Sequence, residues 1–156
     1  MPSLFSPLAS VMNRLRARLA TPQNDPLLRV LLVDDSTIDQ QTAAEQLALL
    51  GIKPHLASSG EMAVQMSSTL DFDIILMDLE MRAMDGFEAA KRIRRLESCL
   101  PGQLHIPIVA YSSSKWLYEV GAHGRDVFDG ILKKPCELAA LKACLLQHCT
   151  RDSLFR

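Results

Sequence analysis

Val30-Leu31-Leu32-Val33-Asp34-Asp35 is an apolar run of four closed by two acids, and Ile74-Ile75-Leu76-Met77 is closed in the same way by Asp78. Short apolar runs bounded by polar turns read as strands buried on both faces, the pattern of a parallel sheet. In an open α/β sheet, ligands sit outside the carboxyl ends of the strands. The two runs therefore predict that Asp34, Asp35 and Asp78 converge at one edge. Carboxylates that close repel one another unless a cation or a shared proton lies among them. A hard divalent metal with oxygen ligands meets that demand, and Mg2+ is the favoured candidate.

Outward from these runs the pattern alternates strand with helix. A strand at about 29–33 leads to a helix opened by Ser36, with Asp39 three positions on in a capping-box arrangement, and with Ala43, Leu47 and Leu50 on one face. Gly51 ends it. A strand over 53–57 precedes Ser58-Ser59-Gly60-Glu61 and a second helix. The central strand spans 73–77, and a third helix starts near Gly86 and carries Phe87, Ala90 and Ile93. Pro101-Gly102 breaks the chain before a fourth strand over 105–110, which Ser112-Ser113-Ser114 closes. A short helix over 115–122, a fifth strand over 127–132 and a last helix bearing Leu138, Leu141 and Leu145 complete five βα units. That alternation predicts a doubly wound α/β fold, its parallel sheet covered on both faces and joined by right-handed crossovers.

At 156 residues, 48% of them apolar, the chain has room for one core of ordinary size plus an extension. A net charge of −1 gives no global electrostatic case for nucleic-acid binding. Cys99, Cys136, Cys144 and Cys149 lack paired C-x-x-C spacing and read as reduced, packing thiols. No apolar stretch reaches the roughly 20 residues of a spanning helix, so a cytoplasmic location is expected. Residues 1–20 form a separate unit: Leu8, Val11, Met12, Leu15 and Leu19 recur at helical spacing, with Arg14, Arg16 and Arg18 in other directions. Docking or dimerisation is the first expectation for this basic amphipathic helix, ahead of a membrane-surface role or a tail that folds with a partner. Position 2 is Pro2 rather than glycine, which excludes myristoylation. Residues 21–26 read as a linker, 27–150 as the globular domain and 151–156 as a tail.

Taken together, Leu31-Leu32-Val33-Asp34-Asp35, Met77-Asp78-Leu79-Glu80-Met81 with Met84-Asp85-Gly86, Val109-Ala110-Tyr111-Ser112 and Leu132-Lys133-Lys134-Pro135 resemble the receiver domains of two-component response regulators. Order and spacing agree over about 27–149. The resemblance implies a flavodoxin-like five-stranded sheet of order 2-1-3-4-5, here with an N-terminal helical extension. It implies that Asp78 is the phosphoacceptor, charged by a histidine kinase or a histidine phosphotransfer protein. Ser112 takes the position of the hydroxyl that reaches the phosphoryl group, and Lys134 that of the lysine that pairs with it. The implied Mg2+ ligands are Asp34, Asp35, Asp78 and the backbone carbonyl of Glu80. A cis bond before Pro135 is implied as well. The expected function is a stand-alone switch that reports phosphorylation of Asp78 through protein contacts, with the 115–149 region, the N-terminal helix or both meeting a downstream protein. A homodimer is a further expectation, and an effector domain is expected on a separate polypeptide. The chemistry is self-modification rather than turnover of a separate substrate. A phosphorylation-independent adaptor and a phosphorelay intermediate are the competing readings.

Three positions depart from the family pattern. Ile131 stands where an aromatic switch residue is usual, Arg82 where a proline is common, and Glu80 adds a carboxylate two residues past the phosphoacceptor. Arg82 is expected to leave its loop less rigid and to put a guanidinium near the site, and Glu80 to bear on metal affinity or on the lifetime of the acyl phosphate. Adjacent acids after a strand often only cap a helix, and Ser113 and Ser114 read as solvated loop. Trp116 and Tyr118 suit either core packing or a partner surface. His55, His105, His123 and His148 show no metal-ligand spacing.

Overall fold

The computed structural model describes residues 28–99 and 105–149. Within them strand and helix alternate: β1 (Val30–Val33), α1 (Thr37–Leu49), β2 (His55–Ala57), α2 (Gly60–Thr69), β3 (Ile74–Met77), α3 (Gly86–Ser98), β4 (Ile108–Ser112), α4 (Ser114–His123), β5 (Gly130–Lys133) and α5 (Leu138–His148). The strands form one parallel sheet in the order β2-β1-β3-β4-β5. The parallel sheet is the one the alternation predicts, and its order is the one implied by the resemblance to receiver domains. The amphipathic helix, the linker and the tail lie outside the described residues.

Every residue of β1 and β3 is buried, because helices cover both faces of the sheet. Alternate residues point to opposite sides. Leu31, Val33, Ile75, Met77, Ile108 and Ala110 face α2, α3 and α4 through Ala63, Ala90, Ile93 and Val120. Val30, Leu32, Ile74, Leu76 and Val109 face α1 and α5 through Ala43, Leu47, Leu141 and Leu145. Burying a side chain such as Leu47 contributes about 2 kcal/mol, and few polar groups are exchanged for it.

Several element bounds differ from the sequence reading, for identifiable reasons. β5 begins at Gly130 rather than near 127, because the N–H groups of Val127 and Phe128 both turn back to the Gly124 carbonyl. Phe128 is buried from that turn, edge-on to Phe87 at 5.3 Å. β4 starts at Ile108 instead of His105: Pro107 lacks an N–H, and the Ile106 N–H is taken by a carboxylate oxygen of Glu97. β4 then runs on to Ser112, so that residue ends a strand rather than opening a loop. The capping box is half made. Ser36 Oγ accepts from the Asp39 N–H, but the Ser36 N–H donates to Asp34 Oδ1 at 2.9 Å, leaving no donor for Asp39 to complete the pair.

Candidate functional site

The register of the central strands builds the site. Val33 pairs with Met77, so the next residues, Asp34 and Asp78, emerge side by side at the carboxyl end of the sheet. The Asp34 N–H donates to the Ala57 carbonyl and the Asp78 N–H to the Val33 carbonyl, which fixes both backbones. Asp34 and Asp78 are buried and Asp35 half-buried. One ligand oxygen from each of the three lies within 4.8 Å of the others. The helix-cap reading of the acidic pair gives way here, since Ser36 is the N-cap of α1.

Lys134 reaches the cluster from the turn after β5, where the Lys134–Pro135 peptide is cis. Its Nζ lies 2.5 Å from Asp34 Oδ2, 3.5 Å from Asp78 Oδ1 and 3.8 Å from Asp39 Oδ2. The Lys134 N–H donates to the Ser112 carbonyl at 2.8 Å, so the lysine and the end of β4 are fixed to each other. Burial pushes the Asp78 carboxyl up to about 6; the Lys134 charge opposes the rise and the Asp34 charge adds to it. One ammonium among three close acids leaves an excess of negative charge. All the candidate ligands are hard carboxylate oxygens, so the residues present fit a cation of the Mg2+ type. Ser112 Oγ is the one buried side-chain oxygen or nitrogen among the described residues without a hydrogen-bond partner. A buried hydroxyl so placed is ready for an anionic acceptor.

Two cross-links over this edge were not legible in the sequence. Arg82 donates from its backbone N–H and from Nε to Asp35 Oδ2, at 3.0 and 3.3 Å. The loop expected to be looser for want of a proline is thus tied to the loop after β1 through an N–H that proline lacks. Trp116 Nε1 donates to Glu80 Oε2 at 3.1 Å, joining α4 to the loop after β3. Gln40 Nε2 also bridges the Asp34 and Ala57 carbonyls, at 3.2 and 3.0 Å. Of the two aromatics singled out, Tyr118 is 80% exposed, whereas Trp116 packs against the core. Cys144 and Cys149 are buried, and burial pushes their thiols up to about 11 and about 12, as suits packing groups.

The family model for the response regulator receiver domain matches residues 30–146. The chain belongs to this family. It is 35% identical over 116 residues to the autoinducer 1 sensor kinase/phosphatase LuxN of Vibrio campbellii, covering 74% of this chain and 13% of that protein. To the sensor histidine kinase RcsC of Escherichia coli it is 30% identical over 132 residues, again covering 13% of the relative and 85% of this chain. The chain thus spans a small part of the curated relatives it matches. Among solved structures, Vibrio cholerae chemotaxis protein CheY4 superposes with a TM-score of 0.67 at 26% identity, covering 78% of this chain and 98% of that one. The receiver domain of sensor histidine kinase PA1611 from Pseudomonas aeruginosa, solved with a magnesium ion in its active-site cleft, gives 0.68 at 26% identity and covers 78% and 97%. Residues 30–146 are therefore a receiver domain of two-component signalling with the CheY-like fold. No helix among its described residues is long and apolar enough to cross a membrane.

Proposed function

We propose that this receiver accepts a phosphoryl group on Asp78 from the phosphohistidine of a histidine kinase or phosphotransfer protein, in a reaction that requires Mg2+, and reports the change through protein contacts. The observation that carries the reading is the buried, unpartnered Ser112 hydroxyl at the same sheet edge as Asp78 and Lys134. Asp34, Asp35, Asp78 and the Glu80 carbonyl would hold the metal, which supplies charge neutralisation to the phosphoryl oxygens when bound. An Asp78 carboxylate oxygen attacks phosphorus. The bond from phosphorus to the donor imidazole nitrogen breaks, and the imidazole leaves with the electron pair and takes up a proton. Lys134 offsets the charge gathered on the transferred group, and Ser112 gives it a hydrogen bond. Ser112 ends β4 two residues before α4 begins, so drawing its hydroxyl inward pulls on the start of that helix. Tyr118 of α4 and Ile131 of β5 are both exposed and would report the shift. Hydrolysis of the acyl phosphate returns Asp78 and releases phosphate, so the domain modifies itself and turns over no separate substrate.

The likeness to sensor kinases of which this chain matches only 13% favours a second reading, a relay station that passes the group on to another histidine. Incubation with a phosphohistidine-bearing phosphotransfer protein tests both. Label moves to the wild-type receiver and not to Asp78→Asn if the proposal holds. Rapid return of label to a second, unlabelled phosphotransfer protein selects the relay. A wild type that takes no label would leave the constitutive adaptor as the better account.

A further inference from the structure

The loop after β3 carries more negative charge than the acidic cluster uses. Glu80 is two residues from Asp78, and its side chain is long enough to turn toward the phosphoacceptor. Yet among the described residues the acids gathered within ligand distance of one another are Asp34, Asp35 and Asp78, without Glu80. Its carboxylate is held elsewhere, by the indole N–H of Trp116 at 3.1 Å. Trp116 is well suited to hold it. The ring packs against the core cluster beneath α4, and the Lys115 ammonium lies 5.3 Å from the ring centroid. An indole has one donor and no acceptor, so its polar edge is committed to this bond.

We propose that Trp116 is a positioning residue for phosphorylation: its hydrogen bond parks the Glu80 carboxylate at the rim, keeping a fourth negative charge out of the metal site and off the approach of the anionic donor. This rests on Asp78 being the phosphoacceptor. Without the indole donor, Glu80 swings toward the cluster, where it adds a ligand for a divalent cation and repels the incoming phosphoryl group. At separations of about 6 Å and an effective dielectric of about 40, that repulsion slows the reaction roughly tenfold.

The test is a double-mutant cycle on the full chain with Trp116→Phe, Glu80→Gln and both together, each checked for a native circular dichroism spectrum. Mg2+ affinity is read by calorimetry, and the rate of acetyl phosphate incorporation at saturating Mg2+ by intact mass. Trp116→Phe is expected to bind Mg2+ several-fold more tightly and to react about tenfold more slowly. In the Glu80→Gln background both effects should vanish, so that the double variant matches Glu80→Gln alone. A Trp116→Phe protein that behaves as wild type overturns the proposal, and so does a slow one that Glu80→Gln does not correct, since Trp116 would then matter only for packing. If the wild type takes up no phosphoryl group, the reading of Asp78 fails instead. The Mg2+ titrations of the four proteins still decide whether Trp116 acts through Glu80.

Discussion

Asp78 is the residue on which the most opposing forces meet. Burial pushes its carboxyl up to about 6, and the lysine that could restore it is shared with Asp34 at a shorter distance. The sign of the consequence follows from linkage. A folded-state pKa above the unfolded value means the carboxyl stabilises the fold fully at low pH and ceases to do so as pH rises through about 6. Asp78→Asn, which cannot ionise, should therefore be more stable than wild type in metal-free buffer above pH 6, by up to about 3 kcal/mol, with the gain gone near pH 4. Denaturant unfolding at the two pH values measures it. At this scale the sequence revealed the acids, because each follows an apolar strand, while the lysine and the serine were read from the resemblance to receiver domains. It did not reveal the Arg82–Asp35 or Trp116–Glu80 bonds, whose partners are 47 and 36 residues apart and meet only once the loops are in place.

The element that delivers Asp78 is the turn from β3 into α3, and its tightest point is Gly86. A Cβ there would sit 2.1 Å from the Asp78 carbonyl oxygen and 2.8 Å from the Leu79 Cα, both backbone atoms that cannot rotate aside. The Gly86 N–H closes the turn on the Leu79 carbonyl at 3.0 Å. Gly86→Ala should thus displace the loop carrying Asp78, costing about 2 kcal/mol or more of stability and, under the proposed function, most of the phosphorylation rate. Thermal unfolding and the intact-mass assay read the two effects. Helices were the more legible elements: Ser36, Ser59 and Asp85 each cap one by accepting an N–H three residues on. Strand ends were less legible. Val127 and Phe128 have the composition of a strand, but their N–H groups are spent on a turn, and apolar burial alone does not distinguish the two.

Across the whole molecule the two edges of the sheet divide the work. The carboxyl edge holds the acids, Lys134 and Ser112, while the amino edge is stapled by Arg94 of α3. Its guanidinium donates to the Val127 and Ile106 carbonyls and to Glu97 and Asp129, with the two carboxylates at 2.8 and 2.7 Å. Burial pushes the Asp129 carboxyl up, but hydrogen bonds from His105 and the Ile108 N–H, together with the Arg94 charge, outweigh it and hold it below the usual carboxylate range. That contribution is present above the unfolded pKa and is lost as pH falls through the folded one. Arg94→Ala leaves the buried Glu97 without its cation and should cost about 3 kcal/mol in chemical denaturation. The folded fraction should still be phosphorylated, because the substitution lies at the far edge from Asp78. The sequence made the α/β alternation and the converging acids plain. This staple stayed hidden, because it joins α3 to the starts of β4 and β5 through side chains that follow no periodic pattern.

The central claim is that Asp78, served by Lys134, Ser112 and a divalent cation, takes a phosphoryl group. The measurement that tests it most directly is the intact mass of wild type and Asp78→Asn after incubation with acetyl phosphate, with Mg2+ and with the metal chelated. A single added phosphoryl group on wild type, seen only with Mg2+ and absent from Asp78→Asn, is the predicted result. Incorporation that persists in Asp78→Asn, or a wild type that remains unmodified with Mg2+ present, would contradict the account.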